Sequence, residues 1–251
     1  MTILKGGALP FAILLALFAF IAMLEFYRMA LPDRRLEQWP AAVCSAALIF
    51  LPLCDGGASA IVGLIAALFL AFSLLFLFRI RSIADAAREV AYAMLAFLYI
   101  PFLLMHLVML RRSDHGVQWL LVIMLIVMTN DSAAYYTGRA FGKHRLYPLV
   151  SPKKSIEGAF GGLAGSIVGT LLARFTFFPQ LTLTDALVTA IFIGILGQTG
   201  DLFESLLKRS FGVKDSGTII PGHGGVLDRL DSIIFAAPAT YYYAVYVFGR
   251  F

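Results

Sequence analysis

The chain has 251 residues, of which 60% are hydrophobic and 14% charged, and it carries a formal net charge of +5. This composition excludes a soluble globular domain, because too few charged side chains are available to cover its surface. No cluster of Lys and Arg is interleaved with aromatic residues, which argues against a nucleic-acid partner. The excess positive charge is expected to meet anionic lipid headgroups.

Eight continuous apolar runs are long enough, or nearly so, to cross the ~30 Å hydrocarbon core of a bilayer as helices. Strands of a membrane barrel would alternate polar and apolar residues, and these runs do not. The sequence therefore predicts an all-α polytopic membrane protein with about eight transmembrane helices. The predicted spans are 9–27, 39–53, 58–78, 90–110, 117–135, 159–172, 183–200 and 232–248. We expect one integral membrane domain over residues 1–251, with N-terminal helices in 1–116 and two polar loops within 117–251.

The basic residues orient this bundle, since Lys and Arg near span ends collect on the cytoplasmic side. Of the 20 Lys and Arg residues, 15 fall in loops on one side, and both large polar loops are among these. The polar loops are therefore expected to be cytoplasmic, with the N-terminus outside. The first span lacks a basic leader and a small-residue cleavage site, so we expect it to remain in the mature protein.

The two cysteines, Cys44 and Cys54, lie ten residues apart in or at the end of the second predicted span. That separation on one helix is too large for a disulfide, and it does not match the spacing of metal ligands. We expect both side chains to serve in packing.

The first polar segment begins where the fifth predicted span ends, at Asn130 and Asp131. A carboxylate at membrane depth is costly unless it faces a cavity, a cation or a partner. One interpretation is that Asn130 and Asp131 mark the helix end or hydrogen-bond a neighbouring helix. The other is that they contact a metal or substrate at the membrane interface.

Further along the same segment, Pro152 opposes helix before it, while Ser155 followed by Gly158 predicts a turn that starts a new helix. Lys153 and Lys154, beside hydroxyls and the amides of a helix start, could form a phosphate cradle. They could equally be basic anchors on the cytoplasmic side. Small residues at three- and four-residue spacing then predict close helix packing; they are Gly161, Gly162, Gly165 and Gly169.

The second polar segment begins with Asp201, Glu204, Ser205 and Lys208, which share one face of a helix by their spacing. The simpler interpretation is an ordinary ladder in which Glu204 pairs with Lys208. Asp201, however, lies at a helix C-terminus, which disfavours an anion, and a nearby cation would remove that difficulty.

Glycines around His223 allow close approach of a ligand, and His223 itself either contacts a phosphate or is a turn residue. Asp228 and Asp231 then open the last predicted helix. They could cap it, but two acids three residues apart exceed what a cap needs. Hard carboxylate oxygens suit Mg²⁺, which commonly takes one or two carboxylates plus substrate phosphates. Together with the basic residues, this set indicates metal-assisted phosphoryl-type transfer.

The polar segments resemble the signature of the phosphatidate cytidylyltransferase (CDP-diacylglycerol synthase) family. The resemblance runs from about Glu25 to the C-terminus and is most specific after Asn130. It is carried by Asp-Ser-x-Ala-Tyr-x-x-Gly-Arg at 131–139, Ser-Pro-Lys-Lys-Ser-x-Glu-Gly at 151–158, Gly-Asp-Leu-x-Glu-Ser at 200–205, Ser-x-x-Lys-Arg at 205–209, Lys-Asp-x-Gly at 214–217, and Pro-Gly-His-Gly-Gly-x-x-Asp-Arg-x-Asp at 221–231.

The resemblance implies attack by a phosphate oxygen of phosphatidic acid on the α-phosphorus of CTP, which gives CDP-diacylglycerol and pyrophosphate. Asp201 and Asp228 are then the expected Mg²⁺ ligands, and a second, monovalent cation is left open. The residues expected to act in catalysis, by supporting the metal or neutralising phosphate charge, are Lys208, Arg209, Lys214, Asp215, Arg229 and Asp231. The residues expected to bind substrate are Asp131, Ser151, Lys153, Lys154, Glu157, Ser205, Gly222, His223, Gly224 and Gly225.

The same resemblance implies a multi-pass protein of the inner (cytoplasmic) membrane, whose active site faces the cytoplasm. Its expected partners are CTP, phosphatidic acid and membrane lipids, with a homodimer as a further option. Family members commonly begin with one more hydrophobic helix before the one that ends in the acidic-aromatic pair, here Glu25-Phe26, and this sequence starts without it. Two other functions are open. A CTP-dependent polyprenol or phytol kinase would release CDP, and a transporter, suggested by Glu25 and Asp131, would need no CTP.

Overall fold

The computed structural model describes residues 6–54, 57–219 and 224–248. Within these ranges the chain is mainly helical, as predicted. In chain order the elements are α1 (Ala8–Ala30), α2 (Arg35–Ala46) with a 3-10 helix at Ala47–Leu53, α3 (Gly57–Phe78), α4 (Ile83–Tyr99), α5 (Pro101–Arg112), α6 (Gly116–Phe141), β1 (Arg145–Tyr147), β2 (Ser151–Ser155), α7 (Ile156–Thr176), α8 (Leu183–Ser210) and α9 (Leu227–Tyr246).

Seven segments of the described chain are long and apolar enough to cross a membrane. They match the first seven predicted spans, with α4 and α5 counted together as Ile83–Arg112. The eighth predicted span, 232–248, coincides with α9, which forms a helix but is not one of the seven. Its first turns carry Asp228, Arg229 and Asp231, and these charges together with its tyrosines lower its mean hydropathy.

Local sequence signals explain several helix boundaries. Thr182 accepts the N–H of Asp185 at 3.0 Å, and the Asp185 side chain accepts the N–H of Thr182 at 3.2 Å, so a capping box starts α8. The break between α4 and α5 comes just before Pro101, because a proline restricts the residue that precedes it and cannot donate a backbone hydrogen bond.

The structure adds one element to the predicted helices, a short antiparallel hairpin in which β1 pairs with β2 inside the first polar segment. The expectation that Cys44 and Cys54 serve in packing is wrong for the described chain, because both side chains are exposed. The Cys54 thiol contacts the Phe50 carbonyl at 3.8 Å.

The chain divides into two compact units. The first unit comprises Met1–Val108 and Asp215–Arg229. In it α1 packs on α2, on the 3-10 helix and on α4. The buried Arg34 guanidinium donates two hydrogen bonds to the Glu89 carboxylate, at 2.9 and 2.6 Å, and so ties the start of α2 to α4.

The second unit comprises Met109–Lys214 and Leu230–Phe251, and its centre is the packing of α7 between α6 and α8. At Gly165 an added Cβ would lie 2.5 Å from the Thr129 carbonyl oxygen and from the Ala133 Cβ of α6. An added Cβ would likewise clash with α6 at the other glycines of the predicted small-residue series, which are Gly161, Gly162 and Gly169. The predicted close packing through small residues is therefore confirmed.

Candidate active site

The first polar segment is organised by the turn that joins β2 to α7. Ser155 caps α7 by accepting the N–H of Gly158 at 3.1 Å, which confirms the predicted turn into a new helix. Glu157, expected to bind substrate, accepts the N–H groups of Lys143 and His144 at 3.1 and 3.2 Å. Its carboxylate also contacts His144 Nδ1 at 2.6 Å. Glu157 thus holds the chain in place ahead of β1.

A cavity of about 530 Å³ opens in the second unit beside this turn. The start of α7 contributes its N-cap Ser155, Gly158 and Ala159 to the wall. Four basic side chains also line it, namely Arg139, Arg145, Lys153 and Lys154, together with the two carboxylates of Asp131 and Asp201. Ala134, Tyr135, Leu146 and Ala159 supply apolar surface. The wall therefore suits a ligand with both anionic and apolar parts.

An ion pair joins the two polar segments at this cavity. Lys154 Nζ lies 2.6 Å from Asp201 Oδ2, and both side chains are 30% exposed. The expectation that Asp201 lies at a helix C-terminus is wrong, because α8 continues to Ser210. The expected nearby cation is nevertheless present and is Lys154. The sequence placed both residues on one face of the membrane, and within the second unit the structure brings them into contact.

Two amide side chains, those of buried Asn130 and half-buried Gln198, also line this cavity. The Asn130 side chain donates to Ser166 Oγ at 2.7 Å, and its oxygen accepts from Gln198 Nε2 at 3.0 Å. Gln198 Nε2 also donates to the Ala159 carbonyl at 3.0 Å. Asn130 and Asp131 do not mark a helix end, because α6 continues to Phe141. The expected hydrogen bond between helices is confirmed for Asn130, and both residues line the cavity.

Asp231 lies in the first turns of α9, ahead of the predicted span 232–248. Burial, and to a smaller extent the negative charges of Asp201 and Asp131, raise the pKa of its carboxyl group from 3.8 to about 7. The N–H of Ser232, at 2.6 Å, and the charge of Lys208 act in the opposite direction. The second unit therefore holds a group of acidic side chains that together disfavour full ionisation.

This raised pKa predicts how stability depends on pH in the absence of divalent cations. The folded protein keeps the Asp231 proton between pH 3.8 and about 7, where the unfolded chain has lost it. Stability is therefore expected to fall as the pH rises through this window and to level off above it. We expect the Tm in detergent with a chelator to fall between pH 5 and 7 more steeply for wild type than for Asp231→Asn. Equal slopes for the two proteins would contradict the assignment.

Lys208 and Arg209, expected to neutralise phosphate charge, have protein partners in the second unit. The Lys208 ammonium pairs with the buried carboxylate of Glu204 one turn earlier, which confirms the ladder interpretation of that spacing. Arg209 donates to the carbonyls of Val150, at 3.4 Å, and Val213, at 3.1 Å. Ser151 and Ser205 are half-buried and Lys214 is exposed. A phosphate-binding role for these residues remains a prediction.

In the first unit, Asp228 organises the second polar loop. Its Oδ2 accepts the Ser216 N–H at 3.0 Å, the Ser216 hydroxyl at 2.8 Å and the Gly225 N–H at 2.7 Å. Gly224 has a φ of +81°, and a Cβ there would lie 2.5 Å from Asp228 Oδ2, so only glycine fits. Asp228 therefore does more than cap α9. Asp215 and Arg229 are exposed, while Gly222 and His223 lie outside the described residues.

Within residues 6–54, 57–219 and 224–248, no group of three or more His, Cys, Asp or Glu side chains is arranged to hold a metal ion by itself. Mg²⁺ does not require such a group, because it usually keeps several waters and binds through one or two carboxylates plus substrate phosphates. The hard oxygen donors of the acidic residues are of the type that it prefers.

Comparison with known proteins identifies the family. The Cytidylyltransferase family matches residues 1–247, nearly the whole chain. This protein belongs to that family. A phosphatidate cytidylyltransferase of Staphylococcus epidermidis is 39% identical over 247 residues, which cover 94% of this chain and 90% of that protein. The Staphylococcus saprophyticus protein of the same name is 35% identical over 245 residues with the same coverage. A third, from Bacillus subtilis, is 39% identical over 157 residues, 61% of this chain and 58% of its own.

Sequence reasoning missed several residues that shape the site of this cytidylyltransferase family member. Arg139 and Arg145 line the cavity, although neither was among the residues expected to bind substrate. The sequence does contain a signal for Gln198, which is an isolated amide at the end of an apolar helix stretch. Ser216 has no sequence signal other than its position in the second polar loop. The sequence marks Glu25 as a carboxylate within a membrane helix but predicts no role for it in the active site.

Proposed function

We propose that this protein is a phosphatidate cytidylyltransferase, which makes CDP-diacylglycerol and pyrophosphate from CTP and phosphatidic acid. The observation that carries the proposal is the cavity of about 530 Å³, where four basic side chains meet apolar surface in a protein whose helices can span a membrane. Membership in the Cytidylyltransferase family and the names of the similar proteins support the same reaction.

The chemistry is a substitution at the α-phosphorus of CTP. An oxygen of the lipid phosphate forms the new P–O bond, while the bond between the α-phosphorus and the bridging oxygen breaks and pyrophosphate leaves. The lipid phosphate is already an anion near neutral pH, so the protein need not remove a proton from it. Its main task is to hold two anionic reactants together and to neutralise the charge that develops on the leaving group.

The side chains at the cavity fit this task. Arg139, Arg145 and Lys153 present positive charge to the cavity. Lys154 already faces the Asp201 carboxylate, so it can position that acid and contact a phosphate with its remaining donors. The apolar lining, which includes Ala134 and Leu146, gives the glycerol and acyl parts of a lipid a surface to contact.

We also propose that Asp201 in the second unit, with Asp231 in support, binds Mg²⁺, and that Asp228 in the first unit is likewise a Mg²⁺ ligand. Bound Mg²⁺ would offset negative charge on the phosphates of CTP. The high pKa of Asp231 and the like charges around it support a cation in the second unit, because a positive ion would relieve their repulsion. The proposal places the protein in the cytoplasmic membrane, with its polar segments on the side where CTP is available.

The test is an assay of pyrophosphate release by the purified protein in detergent with phosphatidic acid and Mg²⁺, with CTP, dCTP and ATP compared. We expect release that depends on both phosphatidic acid and a cytidine nucleotide. Release of CDP in place of pyrophosphate would identify a lipid kinase, which transfers the γ-phosphate. No release with any of the three nucleotides would contradict the proposed function.

A further inference from the structure

One almost fully buried carboxylate in the first unit takes no part in the proposed reaction. Glu25 lies in α1, an apolar helix of 23 residues, and only 1% of its surface is exposed. A carboxylate in such a position is costly unless its oxygens are bonded. Its partners therefore indicate what it does.

Three hydrogen bonds join Glu25 to the second polar loop and the start of α9. Oε1 accepts the N–H of Val226 at 3.0 Å. Oε2 accepts the N–H of Leu227 at 2.8 Å and the Ser216 hydroxyl at 3.3 Å. The first N–H groups of a helix have no partner within the helix itself, and an anion is favoured there. Glu25 thus caps α9 from a different helix, and it holds Ser216 through the same carboxylate.

The loop is also shaped around this carboxylate. A Cβ added at Gly217 would lie 2.5 Å from Glu25 Oε1, and one at Gly225 would lie 2.5 Å from Glu25 Oε2. The backbone of the loop therefore touches the carboxylate on two sides. The position of Glu25 and the path of the loop cannot change independently.

Ser216 connects Glu25 to Asp228. Its hydroxyl lies 3.3 Å from Glu25 Oε2 and 2.8 Å from Asp228 Oδ2, and its N–H donates to the same Asp228 oxygen. We propose that Glu25 is a positioning residue, which fixes the loop around Ser216 and Gly225 and so holds the Asp228 carboxylate in its active orientation. This step rests on the proposed role of Asp228 in phosphatidate cytidylyltransfer.

The decisive variant is Glu25→Gln, which keeps the size of the side chain. Glutamine has one acceptor oxygen, and its NH₂ group faces N–H donors, so one side of the anchor is lost. We expect amide hydrogen exchange at Ser216, Val226 and Leu227 to become at least about 10-fold faster, and kcat to fall about 10-fold. The KM for phosphatidic acid should stay within about threefold, since the change alters positioning and not substrate contacts.

Asp185→Asn is the matched control. Asp185 is another fully buried carboxylate that caps a helix, since it belongs to the capping box of α8 and accepts the Tyr243 hydroxyl at 2.7 Å. Loss of the Asp185 carboxylate should lower the Tm. It should change neither amide exchange at Ser216, Val226 and Leu227 nor kcat. A second variant, Gly217→Ala, displaces the Glu25 carboxylate from the loop side and should reproduce the effects of Glu25→Gln.

Unchanged exchange at the three amides in Glu25→Gln would overturn the proposal. An equal loss of kcat in Glu25→Gln and Asp185→Asn would also overturn it, because the loss in each variant would then reflect lower stability alone. Hydrogen exchange does not depend on turnover. If the wild-type protein fails to release pyrophosphate from CTP, the proposed function fails, while the exchange data still decide whether Glu25 anchors the loop.

Discussion

Replacement of Asp228 by asparagine is expected to lower the turnover of CTP and phosphatidic acid at least about 100-fold. The reason lies in the two tasks of this side chain. Its Oδ2 accepts three hydrogen bonds from Ser216 and Gly225, and the amide oxygen of asparagine, which has two lone pairs, can still accept the two from backbone N–H groups. The negative charge, in contrast, is lost completely. Asp228→Asn therefore removes the proposed Mg²⁺ ligand and leaves the loop largely in place.

The measurement is pyrophosphate release over a range of Mg²⁺ concentrations, combined with hydrogen exchange of the loop. Asp228→Ala should lose both activity and loop protection, which separates the charge of Asp228 from its hydrogen bonds. Asp33→Asn is a suitable control, because Asp33 is an exposed carboxylate in the same unit. Full Mg²⁺-dependent turnover by Asp228→Asn would rule out the metal role.

Replacement of Asp201 by asparagine is the second change with a large expected effect. It should lower the turnover of CTP and phosphatidic acid about 100-fold. Asp201 lines the cavity and pairs with Lys154 at 2.6 Å. Without the carboxylate, a proposed Mg²⁺ ligand is lost and Lys154 no longer has its anionic partner. Lys154→Met should lower kcat/KM by a smaller factor, about 10-fold, because the cavity keeps three other basic side chains.

A double-mutant cycle tests whether the pair acts as a unit. The combined Lys154→Met and Asp201→Asn protein should be less impaired than the product of the two single effects, since each single change already breaks the pair. Arg88→Gln, which breaks an exposed ion pair with Asp85, should leave kcat/KM within about twofold of wild type. Strictly multiplicative losses at Lys154 and Asp201 would show that the two residues act independently.

Hydrophobic length was sufficient to predict most of the fold. Seven of the predicted spans correspond to helices that can cross a membrane, because a continuous apolar run of about 20 residues has few other stable structures in lipid. The hairpin of β1 and β2 was missed for the opposite reason. It is only a few residues long, and Pro152 and two lysines obscure any alternation of polar and apolar positions.

Sequence patterns found the polar segments but not the partners of each side chain. The spacing of Glu204 and Lys208 predicted their ion pair, because both lie on one helix. The pair of Lys154 and Asp201 joins a strand to a helix, and the bond between Glu25 and Leu227 spans 202 residues. Contacts of this kind depend on how helices pack, which no local pattern encodes. The roles of Gly222 and His223 stay predictions, since both lie outside the described residues.

The bonds of Glu25 also impose an order on synthesis and folding. Glu25 enters the membrane with one of the first helices to be made, while its partners Ser216, Val226 and Leu227 follow 191 to 202 residues later. Because domains generally fold from the N-terminus during synthesis, this carboxylate must wait for the end of the chain before these bonds can form. A nascent chain that stops before the second polar loop leaves the Glu25 carboxyl group without these bonds in an otherwise apolar helix.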